Sequence, residues 1–209
     1  MPRAALTRER VLRAAVRLAD EGGLESLSMR KLGQALGVEA MSLYNHVANK
    51  DDLLDGVADI VLDEFELPTA GVDWETAIRR TATSAHEALV GHPWACGLVM
   101  SRPRPGRLRY IDALLRCLRE AGFSPDETFH AYHALDSHIL GYTMWELGHS
   151  FDPAEADELA KTFLPRLADE YPYLYEHAEQ HFDQSRPREE SGFKFGLDLI
   201  LDGFKRMRG

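Results

Sequence analysis

The 209-residue sequence has little cysteine and no long hydrophobic run. Its two cysteines, Cys96 and Cys117, form no CxxC pair, so neither a disulfide framework nor a zinc cluster is predicted. The N-terminus lacks the continuous apolar stretch of a signal peptide, and no later segment has the length that spans a bilayer. We therefore expect a cytoplasmic protein that is not bound to a membrane.

Catalytic fingerprints are also missing. No GxSxG, HExxH, P-loop or dinucleotide motif occurs, so no catalytic residue and no cofactor is predicted. Two Glu-x-x-His motifs, Glu127 with His130 and Glu146 with His149, have the spacing of di-iron ligands in helical bundles. On one helix these motifs would lie roughly 28 Å apart and could not converge. No metal site is therefore predicted.

Strand patterns are nearly absent, whereas apolar residues recur at helical spacing along the whole chain. This pattern predicts an all-α fold. Polar residues that favour helix N-termini stand before the apolar repeats. They are Thr7, Ser28, Asn49, Asp73 and Ser124. Glycines at 22, 23 and 37 are expected to end the first two helices.

Positive charge is scarce overall but is concentrated at the start of the chain. The net charge is −10, yet residues 1–50 carry eight Lys and Arg against five Asp and Glu, which leaves −13 for the remainder. A basic first segment on an acidic body suits a protein whose N-terminal part meets phosphates. We predict a DNA-binding domain over 1–50 and a second helical domain over 51–209.

Three short helices in the first fifty residues, with a turn at Gly37, have the arrangement of a helix-turn-helix. The third helix is expected to run from about Ala40 to Val47. A small core would hold the second and third helices at their angle. Its residues are Leu32, Leu36, Val38, Leu43 and Val47.

The stretch LSMRKLGQALGVEAMSLYNHVANKDDLL resembles the TetR family of bacterial transcription regulators. The resemblance implies a homodimer that binds double-stranded operator DNA through the N-terminal helix-turn-helix. It also implies a C-terminal domain for dimerisation and for a small-molecule effector of unknown identity.

By the same resemblance, phosphate contacts are expected from Ser28, Tyr44, His46 and Lys50. Arg30 and Asn45 would read bases, because they bind guanine and adenine bidentately, and Ala40 and Met41 would pack against thymine methyl groups. The full predicted DNA-binding set is Ser28, Met29, Arg30, Ala40, Met41, Ser42, Tyr44, Asn45, His46 and Lys50. Positions 29, 40 and 41 depart from the tetracycline-repressor pattern, so a different operator is expected.

The resemblance extends into the body through Trp74, the Ser101-Arg102-Pro103 triplet, the turn at 122–124 and Leu140-Gly141. The drug-binding positions of tetracycline repressors differ, however. They are occupied here by Thr81, Ala85, Leu98, Leu114 and Ser137. A magnesium–tetracycline ligand is therefore not expected, and the pocket is expected to be more apolar. The candidates for lining it are His86, Leu98, Arg102 and His133.

The last helix carries an apolar stripe that is wide for a helix buried in one monomer. The stripe is predicted to form the dimer interface, although an intramolecular core stripe is the alternative. Its residues are Phe193, Leu197, Ile200, Leu201 and Phe204. The resemblance favours the interface, since family dimers pair their last helix with the helix that here starts near Ser124.

The sequence thus predicts a repressor that a small, largely apolar ligand releases from a palindromic operator. Three alternatives stay open at this point. An enzyme would need a site without a known fingerprint, and a helical scaffold with a vestigial head would bind DNA without sequence preference. An activator would differ from a repressor only in where it binds relative to the promoter.

Overall fold

The computed structural model describes residues 5–101, 104–148, 158, 161–162, 164–182 and 191–208. The described residues contain helices and no β-strand, which confirms the all-α prediction. The helices are α1 (Arg8–Ser26), α2 (Met29–Leu36), α3 (Ala40–Leu43), α4 (Lys50–Leu62), α5 (Trp74–Gly91), α6 (Ala95–Ser101), α7 (Pro105–Glu120), α8 (Pro125–Gly148), α9 (Pro172–Phe182) and α10 (Gly192–Arg208). Among them, none combines the length and the apolar character needed to cross a membrane.

The five predicted N-terminal caps are confirmed. In each case a side-chain oxygen accepts a hydrogen bond from the backbone N–H three residues later, which satisfies a donor that the helix leaves free. The donor–acceptor distances are 3.2 Å at Thr7, 3.3 Å at Ser28, 2.8 Å at Asn49, 3.0 Å at Asp73 and 3.2 Å at Ser124. At α8 the Glu127 carboxylate also accepts from the Ser124 N–H at 2.7 Å, completing a capping box.

The angle between α2 and α3 depends on two glycines. Gly37 ends α2 with φ +67°, a left-handed conformation that costs glycine little. Gly33 faces the turn, and a Cβ atom there would lie 2.8 Å from the Val38 carbonyl oxygen and 3.2 Å from the Ala40 nitrogen. The turn therefore approaches α2 more closely than any side chain at position 33 permits.

Helix α3 is shorter than predicted. It ends at Leu43 rather than Val47, and a turn follows in which the His46 N–H donates to the Leu43 carbonyl at 2.8 Å. The Tyr44 N–H likewise bonds three residues back, to the Met41 carbonyl at 3.3 Å, so the chain leaves the α-helical pattern directly after Leu43. The Ala48 N–H donates to the Asp52 carboxylate at 2.7 Å instead of extending α3.

Two hydrophobic cores organise the chain, and α4 contributes to both. The N-terminal helices α1 to α3 are here called the head, and the helices from α5 onward the body. The head core contains Leu53 and Val57 of α4 together with residues of α1, α2 and α3. The body core contains Val61 and Leu62 of α4 together with residues of α5 to α8 and α10. Trp94 packs against both cores, which places it at their junction.

The predicted dimer stripe of the last helix lies mostly inside the protomer, so the interface assignment was wrong for these side chains. Phe193, Leu197, Leu201 and Phe204 are at most 3% exposed within the single chain, and Ile200 packs against the same body core. The stripe is wide because α10 packs on both α8 and α5. The large apolar residues that α10 does expose include Phe195 and Leu199.

The close approach at Gly33 predicts that Gly33→Ala destabilises the head. The methyl group would push the Val38–Ala40 turn away from α2, and such overpacking costs about 1 to 3 kcal/mol. Urea unfolding monitored by circular dichroism measures the loss. Gly97→Ala is the matched control, because nothing lies within 4 Å of a Cβ atom at this helical position. Equal stability of the two variants would contradict the prediction.

Candidate nucleic-acid interface

The core predicted for the helix-turn-helix is present. Leu32, Leu36, Leu43 and Val47 are buried, and Val38 is half-buried against the same cluster. With these apolar residues inside, the polar residues of the same segment are left at the surface. Ser28 and Arg30 are exposed at the N-terminal end of α2. Met29, however, is half-buried against the head core, so much of its side chain packs inside the protein.

The segment from α3 into the following turn presents a mixed surface. Met41 is 75% exposed and Tyr44 is 46% exposed, although large apolar and aromatic side chains usually lie inside. Asn45 beside them is exposed, whereas Ala40, Ser42 and His46 are half-buried. A side chain as long and apolar as Met41, held at the tip of a helix, is able to contact methyl groups.

The start of α4 completes this surface. Lys50 is the first residue of the helix and is exposed. Arg30, Lys31 and Lys50 provide the cations of this face, and the N-terminal N–H groups of α4 add partial positive charge. Phosphate oxygens are the natural partners for such an arrangement.

One pair that positions this surface was not predicted from the sequence. Arg8 of α1 binds the Asp52 carboxylate through both terminal nitrogens, at 2.9 and 2.7 Å, and also donates to the His46 carbonyl oxygen at 2.8 Å. The hydrogen bonds from Arg8 and from the Ala48 N–H hold the pKa of Asp52 below its usual range. Asp52 stands in the first turn of α4, and nothing in the sequence pattern indicates a partner 44 positions away.

The three effector candidates that lie in the described part of the chain, His86, Leu98 and His133, do not form one site. His86 stacks on Phe193 at a ring-centroid distance of 4.0 Å and bonds Thr143 through Nδ1 at 2.8 Å, while burial lowers its pKa. Leu98 packs against the head core, and His133 is exposed with its Nδ1 on the Phe129 carbonyl. Arg102 lies outside the described residues.

A different polar cluster lies inside the body, and sequence reasoning missed it. The Arg107 guanidinium on α7 pairs with the Asp136 carboxylate on α8, and Tyr132 bridges them at 3.4 Å from Arg107 and 3.3 Å from Asp136. The Arg107 guanidinium lies over the ring of Tyr110, with Cζ 5.1 Å from the ring centroid. We call these four residues the Arg107 cluster. Burial and the nearby Asp136 carboxylate raise the pKa of Tyr132 to about 12.

Three acids on one face of α4 join it to the beginning of α7. Asp55 pairs with the buried Arg104 at 2.9 Å, Asp59 accepts from the Gly106 N–H at 3.3 Å, and Asp63 pairs with Arg109. We call these three acids the acidic ladder, since a spacing of four residues places them on one side of the helix. The partners stand on either side of Arg107, so the cluster and the ladder both lie at the first two turns of α7.

A second connection between head and body runs through Trp94. The Asp20 carboxylate of α1 accepts from Trp94 Nε1 at 2.7 Å and contacts His92 Nδ1 at 2.6 Å. His92 Nε2 lies 3.4 Å from the Glu64 carboxylate, just after α4. Both contacts fix α1 against the loop between α5 and α6. No group of three or more His, Cys, Asp or Glu residues that could hold a metal is found in the described part of the chain.

The Arg8–Asp52 pair predicts that Arg8→Met loosens the segment after α3. Without the guanidinium, Asp52 would hold the Ala48 N–H less firmly, and the amide protons of Val47 and Ala48 should exchange faster with solvent. Hydrogen exchange followed by NMR measures this. Arg13→Met is the control, because Arg13 pairs with Glu9 on the exposed side of the same helix. Unchanged exchange at Ala48 would count against the pair as a positioning contact.

Comparisons with known proteins agree with this geometry. Residues 11–57 match the model of bacterial regulatory proteins of the tetR family, and residues 67–208 match the tetracyclin repressor-like C-terminal domain. The class D tetracycline repressor protein of Escherichia coli is 33% identical over 207 residues, covering 97% of this chain and 90% of that protein.

Two solved structures are similar over nearly the whole chain. ActR of Streptomyces coelicolor in complex with actinorhodin has a TM-score of 0.76 at 26% identity and covers 99% of this chain and 100% of its own. BioQ with its double-stranded DNA operator has a TM-score of 0.65 at 26% identity, covering 97% and 99%. The two family models together account for both the head and the body. The chain belongs to the TetR family of bacterial transcriptional regulators.

Proposed function

We propose that this regulator is a dimeric repressor that a small, largely apolar ligand releases from a palindromic operator. The observation that carries the proposal is the exposed face of Met41, Tyr44 and Asn45, flanked by Arg30 and Lys50, on a family-matched helix-turn-helix. An exposed methionine and tyrosine next to cations are typical of a binding surface, and a DNA groove offers both apolar methyl groups and phosphates to such side chains. The similarity to BioQ, which was solved with its operator, supports the same reading.

Within this surface we assign base reading to Arg30 and Asn45, which are exposed and have bidentate hydrogen-bonding groups. Ser28, Tyr44, His46 and Lys50 are assigned to phosphates, which set orientation without selecting sequence. Ala40 and Met41 would meet thymine methyl groups, and Ser42 would lie beside them. Met29 is assigned mainly to packing, since it is half-buried against the head core.

Operator binding by two heads requires a dimer, and α8 and α10 offer a surface for it. From Ala134 onward, the exposed residues of α8 recur mainly at spacings of three and four and are mostly small or apolar. They are Ala134, Ser137, Gly141, Met144, Trp145 and Gly148. On α10 the exposed Phe195 and Leu199 have the same spacing. We propose that these two faces, here called the α8–α10 face, pair across a two-fold axis.

Release is assigned to the contact between α4 and α7. A ligand in the body that moves the first turn of α7 would pull on the acidic ladder and tilt α4, to which the head core is attached. Such a ligand changes DNA affinity only if it binds the two arrangements with different affinity. The similarity to ActR in complex with actinorhodin supports a body that takes small molecules.

Selection of bound duplexes from a random pool tests the function. The expected result is a palindrome whose half-sites lie about one helical turn, roughly 34 Å, apart. With that operator, Arg30→Ala should cost about 1 to 3 kcal/mol and relax the preference at one base pair. Lys50→Ala should weaken all sequences alike and lower the salt slope by about one.

Three results would contradict these assignments. If ligand-free protein enriched no sequence, the proposal that this protein binds an operator would be refuted. Unchanged selectivity in Arg30→Ala would remove Arg30 from base reading, and a sequence-dependent loss in Lys50→Ala would remove Lys50 from phosphate binding.

Dimerisation predicts that Leu199→Glu dissociates the protein. A carboxylate in the middle of the α8–α10 face would be buried without a partner, which is costly. Sedimentation velocity should show a monomer where the unaltered protein sediments as a dimer. Leu108→Glu is the control, because Leu108 is also about half exposed but lies on α7, away from this face. A monomeric unaltered protein, or a dimeric Leu199→Glu, would refute the assignment.

A further inference from the structure

His92 stands where three segments of the chain meet. It is the C-cap residue of α5 and begins the α5–α6 loop. Its Nδ1 lies 2.6 Å from the Asp20 carboxylate of α1, and its Nε2 lies 3.4 Å from the Glu64 carboxylate just after α4. Only 15% of the His92 side chain is exposed. One imidazole ring therefore joins the first helix of the head, the end of α4 and the body.

The two carboxylates face a ring whose number of hydrogen-bond donors depends on pH. A protonated imidazolium carries an N–H on both nitrogens, whereas a neutral imidazole carries one N–H and one lone pair. An ionised carboxylate only accepts hydrogen bonds, so it cannot bond to a ring nitrogen that holds a lone pair. The ring is therefore able to bond to Asp20 and Glu64 together only when it is protonated.

The geometry indicates which of the two contacts a neutral ring keeps. The Asp20 oxygen is the nearer acceptor, and Trp94 Nε1 also donates to it at 2.7 Å, so this oxygen is held in place. The Glu64 oxygen is farther from the ring, and its side chain is about half exposed, so water is able to solvate it instead. We expect the neutral ring to hold its proton on Nδ1 and to present the Nε2 lone pair to Glu64.

The groups around the ring determine how the junction responds to pH. Among the described residues, the titratable groups in contact with His92 are Asp20 on α1 and Glu64 after α4. From its own loop the ring meets Trp94, whose ring centroid lies 5.9 Å away and which does not titrate. Histidine is the side chain that ordinarily gains or loses its charge between pH 5 and 8. The bonding of the junction is therefore expected to change within this range.

We propose that His92, Asp20 and Glu64 form a proton-sensitive clamp between the end of α4 and the body. Protonation of His92 closes the clamp, and deprotonation opens it at Glu64 while the Asp20 contact persists. Helix α4 begins at Lys50 in the candidate nucleic-acid interface, so the clamp restrains this helix at its other end. The clamp joins parts of one chain and does not depend on an operator or an effector.

The sign of the effect follows from the proton count. The Glu64 contact stabilises the folded protein where the ring is protonated, and this contribution is lost as the pH rises and the ring becomes neutral. The clamp thus holds the end of α4 against the α5–α6 loop more firmly at low pH than at high pH.

NMR of the full-length protein with ¹⁵N-labelled histidine tests the tautomer directly. The His92 signals are identified by their loss in His92→Gln. We expect both ring nitrogens to carry protons at pH 5, and Nδ1 alone to carry one at pH 8. A neutral ring with its proton on Nε2 would overturn the proposal, and so would a ring whose protonation state is the same at both pH values.

Glu64→Gln tests whether the proton acts through Glu64. The glutamine amide donates to a lone pair and also accepts from an N–H, so it is able to bond to either form of the ring. Urea unfolding at pH 5.5 and pH 8 measures the effect. Raising the pH should increase the unfolding equilibrium constant about two- to fivefold more in the unaltered protein than in Glu64→Gln. Glu66→Gln is the matched control, because Glu66 is an exposed glutamate two positions away, and its pH dependence should equal that of the unaltered protein.

A double-mutant cycle separates the clamp from other titrating groups. In the His92→Gln background, which lacks the titrating ring, Glu64→Gln should have no further effect on the pH dependence of unfolding. The same change in pH dependence with and without His92 would show that Glu64 responds to another group and would reject the clamp. An unaltered pH dependence in the single variant Glu64→Gln would reject it as well.

Discussion

Helix α4 is shared by two hydrophobic cores, and this sharing is the constraint on which the rest of the structure depends. Leu53 and Val57 are buried in the head, and Val61 and Leu62, about one turn after Val57, are buried in the body. Close-packed interiors deform little, so the helix cannot tilt in one core without disturbing the other. Gly56 permits this close packing, since a Cβ there would lie 2.6 Å from a Leu12 methyl group.

The polar contacts of α4 follow from the same constraint. The helix buries its apolar face in the cores, so its acids lie at the edges, where each meets a neighbouring element. Asp52 binds Arg8 of α1 at the head end, and the acidic ladder binds the start of α7 at the body end. Exposed ion pairs contribute little stability, but several on one helix fix its rotation. The candidate nucleic-acid interface is thereby tied to the interior of the body.

The sequence was sufficient for the features that depend on local chemistry. The caps at Ser28 and Asn49, the left-handed end at Gly37 and the core of the helix-turn-helix all follow from residue type and spacing within a few positions. Residues exposed around Arg30 and Asn45 could be named for the same reason. Local patterns thus predicted most of the helices and the outline of the candidate interface.

The features that depend on distant partners were not predictable in this way. Arg8 with Asp52 and Arg107 with Asp136 join residues 44 and 29 positions apart, and no periodicity indicates either pair. The stripe of Leu197 and Leu201 was misread because an apolar face looks the same whether the helix it packs against belongs to the same chain or to another. The end of α3 was placed too late, since the sequence does not show that the Tyr44 and His46 N–H groups bond carbonyls three residues back.

The Arg107 cluster shows what such a distant pair contributes. Apolar residues of similar volume often replace a buried ion pair without loss of stability. The stability of the body core therefore does not require the Arg107–Asp136 pair. A charged pair with a bridging tyrosine is directional, however, and α7 can satisfy it in only one rotation against α8. That rotation also places Arg104 and Arg109 opposite the acids of α4. The cluster therefore fixes the rotation of α7 against α8 through geometry rather than through added stability.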